Sequence, residues 1–351
     1  MSLPLDHRGR LDFVLTLRRR WADTVYPAVK AAHDARAAAA PTAETAAIVH
    51  GLPAYPWFAW MERGSQKMLW RAVSEAVAAL PAPPEPAPPE PAADGPATLE
   101  LDPALALPDW YTDWDIHVQP GGIWRTDAQA RVYELGAKLV MMGDNDDYRF
   151  HRSFVDTALP KRHYRRIVDL GCGFGKSVWP MKQAFPGAEV IGIDLASPCL
   201  RLAKRKCDGL GLAVRFRQAD ARATGLETRS ADLVTSTMLV HEMPVDALEE
   251  LFAECARLLA PGGVLRFLDF QPTGDPFRDL AMREHGARNN EPFMPGMMDA
   301  DLPAMAARAG LAGGRWVAFD ERGAGLLDAA RWPERAEWHF PWAVFEAERP
   351  A

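Results

Sequence analysis

Ile167-Val168-Asp169-Leu170-Gly171-Cys172-Gly173-Phe174-Gly175 decides how this chain is read. The stretch predicts a buried strand that ends at an acid and opens into a glycine-rich turn. Glycines at alternate positions let the backbone turn sharply and approach a ligand, because glycine has no Cβ to clash. A pyrophosphate-binding turn uses the same glycines to aim helix amides at the anion. Asp169 stands two residues before the first glycine, where it repels phosphate and attracts an ammonium group. The stretch therefore suits a nucleoside ligand that carries a cation.

Working outward, a helical stretch from Lys176 to Phe185 is closed by Pro186-Gly187, and Glu189-Val190-Ile191-Gly192-Ile193-Asp194 reads as a second strand. An acid at its end can accept from both hydroxyls of a ribose. A helix from Ser197 to Gly209 leads to a third strand, Ala213 to Asp220. Asp220 stands where an adenine amino group can donate to it, with the Ala221 amide beside the ring. Three parallel strands then end in acids at one sheet edge, where open α/β sheets bind ligands. Gly175-Lys176-Ser177 resembles the end of a Walker A loop, but Leu170 occupies the position that needs a glycine. A dinucleotide fingerprint fails as well, since the third glycine arrives one residue early.

The residues from Ile167 to Phe270 resemble a class I S-adenosylmethionine-dependent methyltransferase. Ser230-Ala231-Asp232-Leu233-Val234 matches its fourth strand, and Cys255 to Leu265, through Pro261-Gly262-Gly263, its next helix, turn and strand. The resemblance implies Asp169, Gly171 and Gly173 at the methionine moiety, Asp194 and Leu195 at the ribose and adenine, and Asp220 and Ala221 at the adenine. It implies an α/β fold: a Rossmann-like, seven-stranded, mostly parallel sheet with an antiparallel C-terminal edge strand. Thr235 to Pro244, containing Val240-His241-Glu242-Met243-Pro244, resembles a signature of the quinone-biosynthesis group of small-molecule methyltransferases. Asp115-Ile116-His117-Val118-Gln119-Pro120-Gly121-Gly122 resembles a segment ahead of their first helix, and Asn289-Asn290-Glu291-Pro292-Phe293 a substrate-facing insertion. The Asn/Asp-Pro-Pro-Tyr/Phe sequence of nucleic-acid amino-methyltransferases is absent after the fourth strand.

With 351 residues, 48% of them hydrophobic, the chain can bury a sizeable core. A formal charge of −7 argues against a nucleic-acid partner held by bulk electrostatics. Cysteines 172, 199, 207 and 255 lack paired metal-ligand spacing, so no metal is expected and the thiols should be buried or free. No apolar run approaches the roughly 18 residues of a membrane span, and Met1 to Arg10 is too polar for a secretory signal. The expectation is a cytoplasmic protein without a membrane partner.

Pro81-Ala82-Pro83-Pro84-Glu85 repeats at 86–90 and reads as a semi-rigid spacer. The chain divides into a helical module over 1–80, a proline-rich linker over 81–108, and a methyltransferase domain over 109–351. That domain comprises a helical cap (109–164) and an α/β core (165–351). In the first module, Val14, Leu17, Trp21 and Val25 recur at helical spacing until Pro27 interrupts. Such stripes read as core, or as a homodimerisation or substrate-covering module. Phe293-Met294-Pro295-Gly296-Met297-Met298 is adaptable enough to form a lid over a small molecule.

Methyl transfer aligns a nucleophile with the donor, and a base matters when that nucleophile arrives protonated. His241, at the cofactor edge, is the first candidate base, because histidine titrates near neutral pH. The bland alternative is a histidine that caps the next helix. Glu242 orients the same loop, and His117 and Glu291 are candidates from cap and lid, ahead of His285. The expected function is methyl transfer to a small-molecule acceptor through oxygen, nitrogen or carbon. The alternatives are a fold that binds the same cofactor for other chemistry, or a non-enzymatic interaction module.

Overall fold

The computed structural model describes residues 3–80, 95–142, 148–328 and 331–351. The tandem proline repeat lies outside them. Nine strands form one sheet among the described residues. In chain order they are β1 (Thr98–Glu100), β2 (Arg166–Leu170), β3 (Glu189–Asp194), β4 (Arg215–Gln218), β5 (Ala231–Thr237), β6 (Leu259–Phe270), β7 (Ala312–Asp320), β8 (Gly325–Leu326) and β9 (Trp342–Glu348). Their spatial order is β1-β4-β3-β2-β5-β6-β9-β7-β8. The pairs from β1 through β6 are parallel, and β9 runs antiparallel to both β6 and β7.

The central strands are continuous apolar runs because helices cover both faces of a parallel sheet. Ile167, Val168 and Leu170 of β2 are fully buried, as are Ile191 and Ile193 of β3. Helix Ser197–Gly209 shows how the covering layer arises. Pro198 occupies its first turn, and Cys199, Leu202, Ala203 and Cys207 turn one buried stripe to the sheet. All four cysteines are buried and free. The order of strands reverses between β2 and β5, which puts the topological switch point beside the glycine turn.

Two short strands extend the expected seven. β1 lies in the stretch read as linker: Leu99 pairs with Phe216, while Glu100 takes an ion pair from Arg215 at 2.7 Å. At the expected antiparallel C-terminal edge of the sheet, β9 lies between β6 and β7. Its composition explains this, since Trp342, Ala343, Val344, Phe345 and Ala347 are all buried.

The N-terminal helices Leu5–Arg20, Tyr26–Ala39, Thr45–His50 and Tyr55–Ala79 do not stand apart from the sheet. Trp21, Tyr26, Phe58 and Met61 belong to the same apolar core as the strands. Pro27 does not interrupt the first pair of helices. A π-turn over Trp21–Val25 precedes it, with Tyr26 N donating to Trp21 O, and the proline falls in the first turn of the next helix, where no amide is needed. A smaller core joins Val14, Leu69, Trp70 and Val73 to Val132 of helix Asp127–Val140. Among the described residues no helix is long and apolar enough to cross a membrane.

Candidate active site

A cavity with an empty volume of about 1350 Å³, its mouth included, opens beyond the carboxyl ends of β2 to β6. Gly171 and Gly173 form its floor at φ 66° and 53°. A Cβ at Gly171 would strike Leu239 at 2.9 Å, so both backbone and space require glycine there. Asp194 closes β3 and holds the turn open toward the cavity. Its two carboxylate oxygens accept from Gly173 N and Ala196 N, each at 2.7 Å. Burial raises its pKa against those amides. Each oxygen keeps a lone pair for a ligand. Leu195, Asp220 and Ala221 continue the same wall. Asp220 already grips Arg222, at 2.7 Å from Nη2, and Arg222 lies over the Trp110 ring at 5.5 Å.

Asp169 is the exception. It lies beneath the turn, fully buried, and does not reach the cavity wall. Its carboxyl accepts from the Ser177 hydroxyl and, at 2.8 Å, from Thr235 Oγ1. Burial pushes its pKa up to about 7, against those two bonds. An acid turned inward beneath the turn, its ionisation opposed by burial, is poorly placed to attract an ammonium group in the cavity. It is a strut between β2, β5 and the helix after the turn.

The facing wall carries a chain of ionisable groups from four segments. His241 and Glu242 occupy the tight turn Val240–Glu242 after β5, and Asp269 stands near the end of neighbouring β6. Parallel pairing brings those strand ends together. His241 Nδ1 lies 2.6 Å from Asp269 Oδ1, and His241 Nε2 lies 3.3 Å from Glu242 Oε1. The same glutamate oxygen lies 3.4 Å from His117 Nε2, while His117 Nδ1 lies 2.7 Å from Glu291 Oε1. Glu242 Oε2 is buried with no hydrogen-bond partner among the described residues. His117 and Val118 both sit at positive φ, 58° and 62°, a strained turn that aims the imidazole at the glutamates.

These contacts set the protonation. Burial opposes charge on His241, but Asp269 and Glu242 outweigh it and raise its pKa well above the usual histidine range. His117 is raised too, by Glu291 and Glu242 against burial. Glu242 is held below the usual carboxylate range, the two imidazoles overcoming its burial. With Nδ1 held by Asp269 and its pKa raised by the two carboxylates, His241 favours the charged form, which has no lone pair for an incoming proton. His241 is therefore not the base it is expected to be; it is a cation that holds Glu242.

The cavity thus gathers Gly171, Gly173, Asp194, Leu195, Asp220, Ala221, His117, His241, Glu242 and Glu291, and leaves Asp169 behind its floor. His285 also reaches it, tied to Glu62 at 2.6 Å. The methionines expected as a lid do not: Met294, Met297 and Met298 are buried in the core and line no part of it. Gln66 and Trp70 arrive from the N-terminal helices, Tyr111 and Tyr133 from the cap, and Lys176 from the turn. Sequence reading missed these and Asp269. The one available signal was Lys176 beside the glycines, which reads first as a Walker remnant.

The methyltransferase domain family matches residues 167–263. Demethylmenaquinone methyltransferase of Thermus thermophilus is 37% identical over 172 residues, 49% of this chain and 76% of that protein. Ubiquinone biosynthesis O-methyltransferase of Methylococcus capsulatus is 36% identical over 104 residues, 29% of this chain, which spans 42% of that relative's length. Among solved structures, Haemonchus contortus phosphoethanolamine N-methyltransferase 2 with S-adenosyl-L-methionine is a distant likeness. It shows 18% identity and a TM-score of 0.47, covering 64% of this chain and 58% of that one. Identity of 37% sustained over three quarters of the Thermus protein, with a methyltransferase domain match that spans the glycine turn, shows that the chain belongs to the class I S-adenosylmethionine-dependent methyltransferases, in the group that includes the quinone-biosynthesis enzymes.

Proposed function

We propose that the cavity is a methyl-transfer site for a small, largely apolar acceptor that must lose a proton as it is methylated. The residues present fit the cofactor. The glycine floor leaves room for close approach, with Tyr133 the nearest group to a Cβ at Gly173, at 3.7 Å. Asp194 keeps free lone pairs for ribose hydroxyls, and Leu195, Asp220 and Ala221 would border the adenine. When bound, S-adenosylmethionine supplies an electrophilic methyl group. Everything else falls to this chain's residues. Ile116, Ile123, Phe270, Phe340 and Trp342 line the rest of the cavity and exclude water around an aromatic or apolar acceptor. The relatives named for quinone substrates are consistent with such an acceptor.

One observation carries the reading: Glu242 Oε2 is a buried carboxylate oxygen with no partner among the described residues, in the wall that faces the glycine floor. A hydroxyl or acidic carbon of the acceptor would give its proton to that oxygen as its bond to hydrogen breaks and the methyl bond forms. His241 and His117 hold Glu242 in place. Such positioned proton transfer contributes about 10²–10⁴-fold. The test is a panel of phenols, hydroquinones and β-dicarbonyl acids, read by S-adenosylhomocysteine release. For any acceptor that turns over, Glu242→Gln should lower kcat by about 100-fold or more, with the affinity for S-adenosylhomocysteine unchanged. Undiminished kcat in that variant would sink the assignment.

A further inference from the structure

Lys176 is a cation that the methyl-transfer reading does not use. It follows Gly175 directly and lines the cavity, yet its side chain is 94% buried, at 6% exposure. Its ammonium has three donors to satisfy. Nζ reaches the Tyr133 hydroxyl at 3.5 Å and the Met238 sulfur at 3.6 Å, a long contact and a weak acceptor. The Tyr133 and Phe174 rings lie 5.6 and 5.9 Å away. Among the described residues no carboxylate comes within ion-pair distance. Asp169 accepts from Ser177 and Thr235, Asp194 accepts from two amides, and Glu242 Oε1 lies against two imidazoles, so these carboxylates favour the ammonium only from beyond contact distance. The buried His151 feels its charge, since burial and this lysine together hold the His151 pKa well below the usual range. An ammonium buried without a counter-charge is costly, and here burial lowers its pKa to about 8. Among the described residues none supplies an anion within ion-pair reach of it, and its side chain lines the cavity.

We propose that Lys176 binds a carboxylate that enters the cavity with a ligand, either the methionyl carboxylate of the cofactor or an acid group on the acceptor. The inference rests on the cavity being the methyl-transfer site. Calorimetry on the full chain separates the sources, using wild type, Lys176→Met and the charge-keeping Lys176→Arg, with thermal melts to confirm folding. One arm titrates S-adenosylhomocysteine against 5′-methylthioadenosine, which keeps the nucleoside and sulfur but lacks the amino acid. The other titrates the S-adenosylhomocysteine-loaded protein with benzoate against benzyl alcohol. Lys176→Met should weaken the carboxylate ligand of one arm by about 10- to 100-fold, spare its uncharged counterpart, and be rescued by Lys176→Arg. The arm affected identifies the source. Unchanged affinities in both arms, or equal losses for charged and uncharged ligands, overturn the proposal. So does a wild type that fails to distinguish the members of either pair, whatever the variants do. A wild type that binds neither nucleoside overturns the methyl-transfer reading and the lysine's role with it.

Discussion

Asp169 stands one residue before the end of β2 and Asp194 ends the neighbouring β3, and burial divides their work. Asp194 faces the cavity with its charge shared among amides; Asp169 faces inward on two hydroxyls. Because the folded pKa of Asp169 is raised to about 7, the native chain holds a proton there that the unfolded chain has released. Stability from this residue is therefore greatest at low pH, falls between about pH 4 and pH 7 by roughly 4 kcal/mol, and levels off above. Asp169→Asn removes that slope, so urea unfolding at several pH values should show the variant gaining on wild type as pH rises to 7. Parallel curves would contradict the burial argument. Strand ends and glycines are legible in sequence because each is local, and they locate most of the residues on the sheet side of the cavity. Protonation is not local. His241 reads as a base until Asp269, 28 residues on, takes its Nδ1.

At the scale of elements, helices build the wall opposite the sheet, and one glycine sets how closely two of them pack. A Cβ on Gly136 of helix Asp127–Val140 would lie 2.1 Å from the Trp70 ring of helix Tyr55–Ala79. Trp70 is fully buried and packed between helices, so an added methyl must either part the helices or push the ring into the cavity. Gly136→Ala should cost about 1–3 kcal/mol in urea unfolding, despite alanine's better helix propensity. Stability equal to wild type would mean that the helices yield where the packing says they do not. The long apolar strands are legible from their runs of valine, isoleucine and leucine. β1 is not, because three residues alternating Thr98, Leu99 and Glu100 carry too little pattern without the partner strand β4. The passage through Pro27 is hidden for a related reason: a π-turn is a backbone adjustment with no side-chain signature.

At the scale of the whole molecule, the site is a joint product of regions far apart in the chain. Gln66 and Trp70, His117, the glycine turn, Glu242, Glu291 and Trp342 come from six separate stretches to one cavity. Glu62 of the N-terminal helices pairs with His285 and Arg288 across the interior, so those helices are tied to the site by buried charge as well as by shared core. Sequence periodicity shows that such helices exist; it does not show that they furnish a wall, since that depends on contacts more than 200 residues apart. The claim on which the rest depends is that Asp194 and the glycine floor hold S-adenosylmethionine. Calorimetric titration of S-adenosylmethionine into wild type and Asp194→Ala tests it most directly, with NAD as the comparison ligand. The expected result is saturable binding by wild type, a loss of about 100-fold or more in the variant, and no binding of NAD. Equal binding by the two proteins, or a preference for NAD, would contradict it.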